Sequence, residues 1–255
     1  MKEETSLAMG TIVTVKSHAP SPAIAEIKRL EQLFTIFNPS SEVSRINLAA
    51  GLSPIIVSPD TFNAIEQAIK VSHLSNGAFD ITLGRKGNYR DIILDGKNNS
   101  VWLKKNGMKI DLGGIGKGCA VEAARGKLKA RGEKKALIDM RSSIAVIGGP
   151  WKIGLQDPQK AGQTMGTIIL NDGDALSTSG QYEQPGHIVD PRTGKKTGGC
   201  LGVTVITADA GLADALTTAI FVMGPEQGMA LLKKTNTRGI IIAKSGKMLA
   251  NGKIL

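Results

Sequence analysis

Along this chain, short apolar runs of period two alternate with longer stretches in which apolar residues return every three or four positions, so both strands and amphipathic helices are predicted. The first strand is expected where Met9-Gly10-Thr11 leads into Ile12, Val13 and Val15. Ser21-Pro22 then reads as an N-cap and first helical residue, with Ile24, Ile27, Leu30, Phe34 and Phe37 at helical spacing. That helix is expected to end before Asn38-Pro39, because the residue ahead of a proline avoids the α region. The polar segment 37–47 spaces Ser41, Ser44 and Asn47 by three and reads as a loop or a short helix. A second helix is predicted from Ser58-Pro59 to Asn76-Gly77, and residues 92–94 and 101–103 flank Asp95-Gly96-Lys97-Asn98-Asn99 as a hairpin.

The stretch 109–122, KIDLGGIGKGCAVE, organises the rest. A short strand is predicted to end at Asp111 and to run through Gly113, Gly114, Gly116 and Gly118 into a helix that continues from Cys119 to Arg131-Gly132. Free amides of a first helical turn, a bare glycine backbone and Lys117 together suit an anion, first of all a phosphate. The stretch is neither a P-loop nor a dinucleotide-binding GxGxxG in its usual setting, and taken alone it is equally a tight strand-to-helix turn. Beyond it, strands are predicted at 136–139, 143–147, 151–155, 166–170, 174–177 and 200–207. Helices follow at 210–222 and from Pro225 through Leu232, and a hairpin of 240–243 with 247–250 closes the chain. This order of elements argues for an α+β fold rather than a regular βαβ array.

Composition narrows the function classes. A chain of 255 residues can bury a large core as one domain or two lobes. Aromatics at 4% argue against a base-stacking surface, and the lysines are dispersed, so no nucleic-acid partner is expected. The formal charge of +10 favours anionic ligands or acidic partners. Cys119 and Cys200 show neither CxxC nor zinc spacing. The opening MKEETSLAMGTIVTV lacks an apolar signal region, and no segment approaches 18 apolar residues. The expectation is therefore no transmembrane segment and a cytoplasmic location as the sequence stands, with an exported form whose signal has been removed as the alternative.

Seven motifs then occur in one order: Met9-Gly10-Thr11, 41–47 (SEVSRIN), Gly77-Ala78-Phe79-Asp80, 111–118 (DLGGIGKG), Ser177-Thr178-Ser179-Gly180, 187–194 (HIVDPRTG) and 213–218 (ADALTT). In this the chain resembles the FAD:protein FMN transferase family, the ApbE-type flavin transferases, over almost its whole length. The resemblance implies a single domain over residues 1–255 with two interlocked lobes. Its architecture would be T-fold-like, with mixed or antiparallel sheets flanked by helices. FAD would lie between the lobes, with magnesium (Mg2+) at its pyrophosphate. It also implies magnesium-dependent transfer of FMN from FAD to a threonine or serine hydroxyl of an acceptor protein carrying a D-x-x-[ST]-G-A-[ST]-like motif, with release of AMP. Carried onto this sequence, the metal ligands are Asp214, Thr218 and the backbone carbonyl of Gly116. Residues four apart on a helix project side by side, and carboxylate, hydroxyl and carbonyl oxygens suit magnesium.

For the flavin the resemblance points to Met9, Phe37, Ala78, Phe79, Asp80, Gly113, Lys117, Cys119 and His187, with Lys117 and the amides of 116–118 against the phosphates. Asp214, Lys117 and His187 make up the implied catalytic set. His187 either takes the acceptor's proton or serves as a structural or adenine contact. Asp190 and Thr193 are expected to shape the turn around Pro191. Two other readings stay open: an FAD pyrophosphatase giving FMN and AMP if water takes the acceptor's place, and a non-catalytic FAD-binding protein. Three departures stand out. Arg141-Ser142-Ser143 stands where the family usually has two glycines and a small polar residue, Phe37 stands where tyrosine is frequent, and the segment between Gly180 and His187 is short.

Overall fold

The computed structural model describes residues 1–160, 162–180 and 188–254. The chain opens with a hairpin, β1 (Lys2–Ala8) and β2 (Thr11–Ser17), then helices α1 (Ser21–Phe34) and α2 (Glu42–Leu48). A short strand β3 (Ile55–Ile56) and helix α3 (Pro59–Leu74) precede the hairpin β4 (Ile92–Asp95) and β5 (Ser100–Leu103), followed by α4 (Gly116–Ala130). The second half supplies β6 (Ala136–Asp139), β7 (Ser143–Ile147), β8 (Trp151–Gln156), β9 (Thr164–Leu170), β10 (Ala175–Gly180) and β11 (Cys200–Thr207). Helices α5 (Ala210–Met223) and α6 (Pro225–Lys234) and the hairpin β12 (Arg238–Ala243) and β13 (Met248–Asn251) complete it.

Eight strands form one sheet in the order β1-β2-β6-β7-β10-β11-β12-β13, with antiparallel neighbours throughout. Period-two alternation divides its residues between two cores. Ala136, Ile138, Ala145, Ala175, Val203 and Val205 face the helices, whereas Leu137, Ile144, Val146, Leu176 and Ile206 face the β8–β9 hairpin. Helix α5 lies at the centre of the helical layer, packed on α3, α4, α6, β10 and β11. Its apolar residues run nearly all round, as a helix buried on every side requires. The α+β expectation holds, with antiparallel sheets flanked by helices. Among the described residues, no helix is long and apolar enough to cross a membrane.

Some boundaries differ from expectation, each for a local reason. Strand β1, KEETSLA, carries no apolar period because it is an edge strand, recruited by pairing with β2 from Lys2↔Ser17 to Ala8↔Thr11. Met9 (φ 50°) and Gly10 (φ 70°) form the two-residue turn between them, the left-handed pair that suits the twist of a hairpin. Helix α1 stops at Phe34 rather than near Phe37, because the carbonyl of Thr35 accepts the Ser41 hydroxyl at 2.5 Å and the chain turns into α2. Ser41 in turn caps α2 by accepting the Ser44 N–H at 3.0 Å.

The predicted strand before the glycine turn is absent. Its backbone partner is a side chain: Asn47 accepts the Ile110 N–H at 2.7 Å and donates to the Ile110 carbonyl at 2.9 Å, while Asp111 N–H reaches the Ile81 carbonyl at 2.8 Å. Asn47→Ala leaves both polar groups of the buried Ile110 without these bonds, and should lower stability by about 2 kcal/mol in urea unfolding. An unchanged midpoint would show that water replaces the amide there.

Candidate functional site

Helix α4 begins at Gly116, three residues ahead of the predicted start, so Gly116, Lys117 and Gly118 form its first turn. Ile115, at the N-cap, supplies no side-chain cap. The amides are nevertheless not all free for an external anion. Gly116 N–H donates to the Leu112 carbonyl at 2.7 Å, and Gly118 N–H donates to Asp214 Oδ2 at 3.0 Å. A carboxylate one turn into α5 thus caps α4 from outside, where the positive end of the helix dipole favours a negative charge. The Lys117 amide and ammonium are without a hydrogen-bond or ion-pair partner among the described residues.

Close approach of the two helices makes this contact. A Cβ on Gly118 would overlap the Ala210 carbonyl oxygen and lie 2.7 Å from Asp214 Cβ. On the sheet side, Ser177 Oγ stands 3.0 Å from Asp214 Oδ1, and Ser143 Oγ stands 3.2 Å from Ser177 Oγ. Asp214 is buried, which pushes its carboxyl above the usual carboxylate range, while the Lys117 charge, the Gly118 N–H and the serine hydroxyls pull the other way.

Thr218 follows one turn later on α5. Its hydroxyl makes only long contacts, 3.4 Å to the Asp214 carbonyl and 3.5 Å to Ser179 Oγ. Its neighbour Thr217 is fully engaged, donating to the Asp214 carbonyl at 2.8 Å and accepting from Ser179 at 2.9 Å. Gly114 presents its bare face here, since a Cβ would lie 3.0 Å from the Phe79 ring and 3.7 Å from Thr218 Oγ1. Asp214, Thr218, Lys117 and the glycine turn therefore come together.

The oxygen set fits a hard divalent cation. It combines the Asp214 carboxylate with the Thr218 hydroxyl, which has little other engagement. No group of three or more His, Cys, Asp or Glu that could hold a metal ion gathers among the described residues.

The remaining candidates are anchored in different ways. Met9 sits in the β1–β2 turn with its N–H on Glu31 Oε1 at 2.6 Å and its side chain against the core. Phe37 is 91% exposed on the loop after α1, next to a cleft of about 270 Å³ lined by Ile36, Pro39, Asn47, Leu48, Arg85 and Lys109. Ala78 and Phe79 are buried, Phe79 in the main core. Both Asp80 oxygens hold the loop behind it, accepting Thr82 N–H at 2.8 Å and Tyr89 N–H at 2.9 Å; burial raises its carboxyl above the ordinary value. Gly113 is exposed, and its N–H closes a turn on Asp111 Oδ1 at 2.9 Å. Cys119 packs toward Gln67 and Gly211, and burial, reinforced by the Asp209, Asp214 and Glu122 charges, pushes its thiol far up, so it stays neutral.

His187 and the short segment after Gly180 lie outside the described residues. The following turn does show the expected roles for Asp190 and Thr193. Asp190 Oδ1 accepts Arg192 N–H at 2.9 Å, and Thr193 Oγ1 accepts Lys195 N–H at 3.3 Å. This turn is seated on the 77–84 loop: Gly84 (φ 69°) would place a Cβ 2.5 Å from the Pro191 carbonyl, and Gly77 faces the stem of Arg192.

Sequence reasoning did not single out Ser143 and Ser177 as partners of Asp214. The available signal was period two in β10, which puts Ser177 on the same face as the core residue Ala175 and so places a hydroxyl among apolar neighbours.

Comparison with known proteins covers nearly the whole chain. A family model described as the ApbE family matches residues 9–88 and 84–242. An FAD:protein FMN transferase of Klebsiella pneumoniae (strain 342) is 31% identical over 293 aligned positions, covering 96% of this chain and 92% of its own. Another of that description, from Vibrio cholerae serotype O1, is 26% identical and covers 93% and 86%. Among solved structures, the flavin transferase ApbE from Vibrio cholerae superposes with a TM-score of 0.90 at 23% identity, covering 98% of this chain and 97% of that one, a likeness of fold. The ApbE protein from Thermotoga maritima gives 0.87 at 29% identity, covering 98% and 96%.

Proposed function

The chain belongs to the ApbE family, and on that premise we propose that it transfers the FMN half of FAD to a threonine or serine hydroxyl of an acceptor protein, releasing AMP, in a magnesium-dependent reaction. The observation that carries this reading is the buried Asp214 carboxylate, held between Gly118 N–H and Ser177, with Thr218 one helical turn on and the Lys117 charge beside it.

In this reading Asp214, Thr218 and the Gly116 carbonyl would hold a magnesium ion, which would supply positive charge to offset that of the pyrophosphate. Lys117 places its ammonium and its N–H toward the phosphates, adding fixed positive charge where negative charge develops on the leaving AMP. The acceptor hydroxyl oxygen forms a bond to the FMN-side phosphorus as the bond from that phosphorus to the AMP oxygen breaks, and the hydroxyl proton passes to a base. His187 is assigned that role. Met9, Phe37 and the 78–80 loop are assigned to the flavin and its nucleotide, and an acceptor motif of the D-x-x-[ST]-G-A-[ST] kind to the incoming hydroxyl.

Product analysis tests the reading. Incubation with FAD and magnesium should release AMP and place covalent flavin fluorescence on a threonine-containing acceptor domain. AMP with free FMN whether or not the acceptor is present would identify an FAD pyrophosphatase. FAD bound but recovered intact would leave a flavin-binding protein.

A further inference from the structure

We propose that Ser177, backed by Ser143, is a positioning residue for Asp214, and that this hydroxyl pair sets the affinity of the carboxylate site for a divalent cation. The inference rests on the reading of Asp214 as a cation ligand. Both serines are wholly buried, and they are register partners on neighbouring strands, Ser177 of β10 opposite Ser143 of β7. Adjacent residues on the same face, Ala145 and Ala175, belong to the apolar core. Two hydroxyls at this depth require partners to offset their lost hydration.

Proton counting fixes the direction of the chain. Ser177 Oγ has one proton and three oxygens in reach: Asp214 Oδ1 at 3.0 Å, the Ser142 carbonyl at 3.0 Å and Ser143 Oγ at 3.2 Å. Of these, only Ser143 can donate. The Ser142 carbonyl already accepts Thr178 N–H at 2.8 Å, whereas the carboxylate offers a charge-assisted bond. Ser143 therefore donates to Ser177, and Ser177 donates to Asp214.

The carboxylate is thereby gripped at both oxygens, Oδ2 from helix α4 through Gly118 N–H and Oδ1 from the sheet through Ser177. Removing the second grip frees the carboxyl group to rotate about the first. A ligand that must be re-oriented binds its ion more weakly, and the loss of such a supporting partner typically lowers metal affinity about 10–100-fold. Ser143 reaches Asp214 chiefly through Ser177 and also acts on the carboxyl group itself, so most but not all of its effect should disappear once Ser177 is gone.

The test is titration of the full-length protein with Mn2+, following the free-ion signal by electron paramagnetic resonance, alongside the magnesium dependence of AMP release. Ser177→Ala should weaken Mn2+ binding about tenfold or more. It should also shift the half-saturating magnesium concentration in step while most of the maximal rate returns at saturation. Ser177→Thr, which keeps the hydroxyl, should restore both. Ser143→Ala should weaken binding by a smaller factor, and the loss in the double alanine variant should fall short of the product of the two single losses. Thermal melting of each variant separates this shift from unfolding.

Mn2+ affinity within twofold of the parent in Ser177→Ala, with binding lost in Asp214→Ala, would overturn the positioning role and leave the cation reading standing. Undiminished Mn2+ binding by Asp214→Ala would remove the cation reading itself, and the proposal with it. Additive losses in the double variant would show that Ser143 acts independently, contrary to the proposed chain.

Discussion

Asp214→Asn should lower FAD-dependent AMP release by on the order of a hundredfold to a thousandfold while the protein stays folded. The asparagine is almost the same shape, and its carbonyl oxygen can still accept one of the two donors, Gly118 N–H or Ser177 Oγ, that hold the native carboxylate at 3.0 Å each. What it loses is the negative charge that a hard cation requires among otherwise neutral oxygens. Asp214→Ala should show the same loss of activity together with a fall in melting temperature. That variant strands the Gly118 N–H, at about 1–3 kcal/mol, while the Ser177 hydroxyl can turn to the Ser142 carbonyl at 3.0 Å, and the penalty of burying a charge is relieved. AMP quantified by chromatography, beside the melting curve, separates the two effects. Retention of more than about a tenth of the activity in the asparagine variant would be incompatible with a charge role of the expected size.

Gly118→Ala should be the most destabilising methyl addition in the helical layer, lowering stability by about 3 kcal/mol or more. The added carbon overlaps a backbone oxygen, that of Ala210, and meets Asp214 Cβ at 2.7 Å, so no side-chain rotation relieves it. Helices α4 and α5 must separate, and the Gly118–Asp214 hydrogen bond lengthens with them. Gly126 provides the internal control. It lies on the same helix with nothing within 4 Å of an added Cβ, so Gly126→Ala should raise stability by about 0.5–1 kcal/mol through helix propensity alone. Urea unfolding midpoints for the pair give the comparison, and equal midpoints would mean that the two helices do not touch as described.

The parts of the fold legible in the sequence were those whose pattern is generated by burial. Strand β11 was predicted at its observed limits, 200–207, and α5 to within one residue, because both lie between layers and their apolar runs record it. Strand β1 left no such record, since an edge strand is held by backbone pairing and has polar side chains to spare. The segment 109–112 was misread because its partner is the Asn47 amide, a long-range side-chain contact that no periodicity encodes.

The site shows the same division. Asp214 and Thr218 entered as candidates through the resemblance carried by the 213–218 motif, and the structure sets them one turn apart on α5. The trans cap on Gly118 and the Ser143–Ser177 pair were not legible, because they depend on how α5 is laid across β7 and β10. The turn at 140–142 combines both cases. The replacement of two glycines was visible in the sequence, and the structure adds that Arg141 adopts φ 66°, a left-handed conformation that glycine accepts without strain.

The seating of the 190–194 turn on the 77–84 loop has a consequence for how new variants of this protein can arise or be built. Pro191 and Gly84 meet through backbone atoms, so each loop serves as the template for the other although more than a hundred positions of chain separate them. Exchanging either one alone with a relative would leave a well-formed turn resting on the wrong surface. Recombination that replaces this surface with a relative's therefore has to carry both loops together.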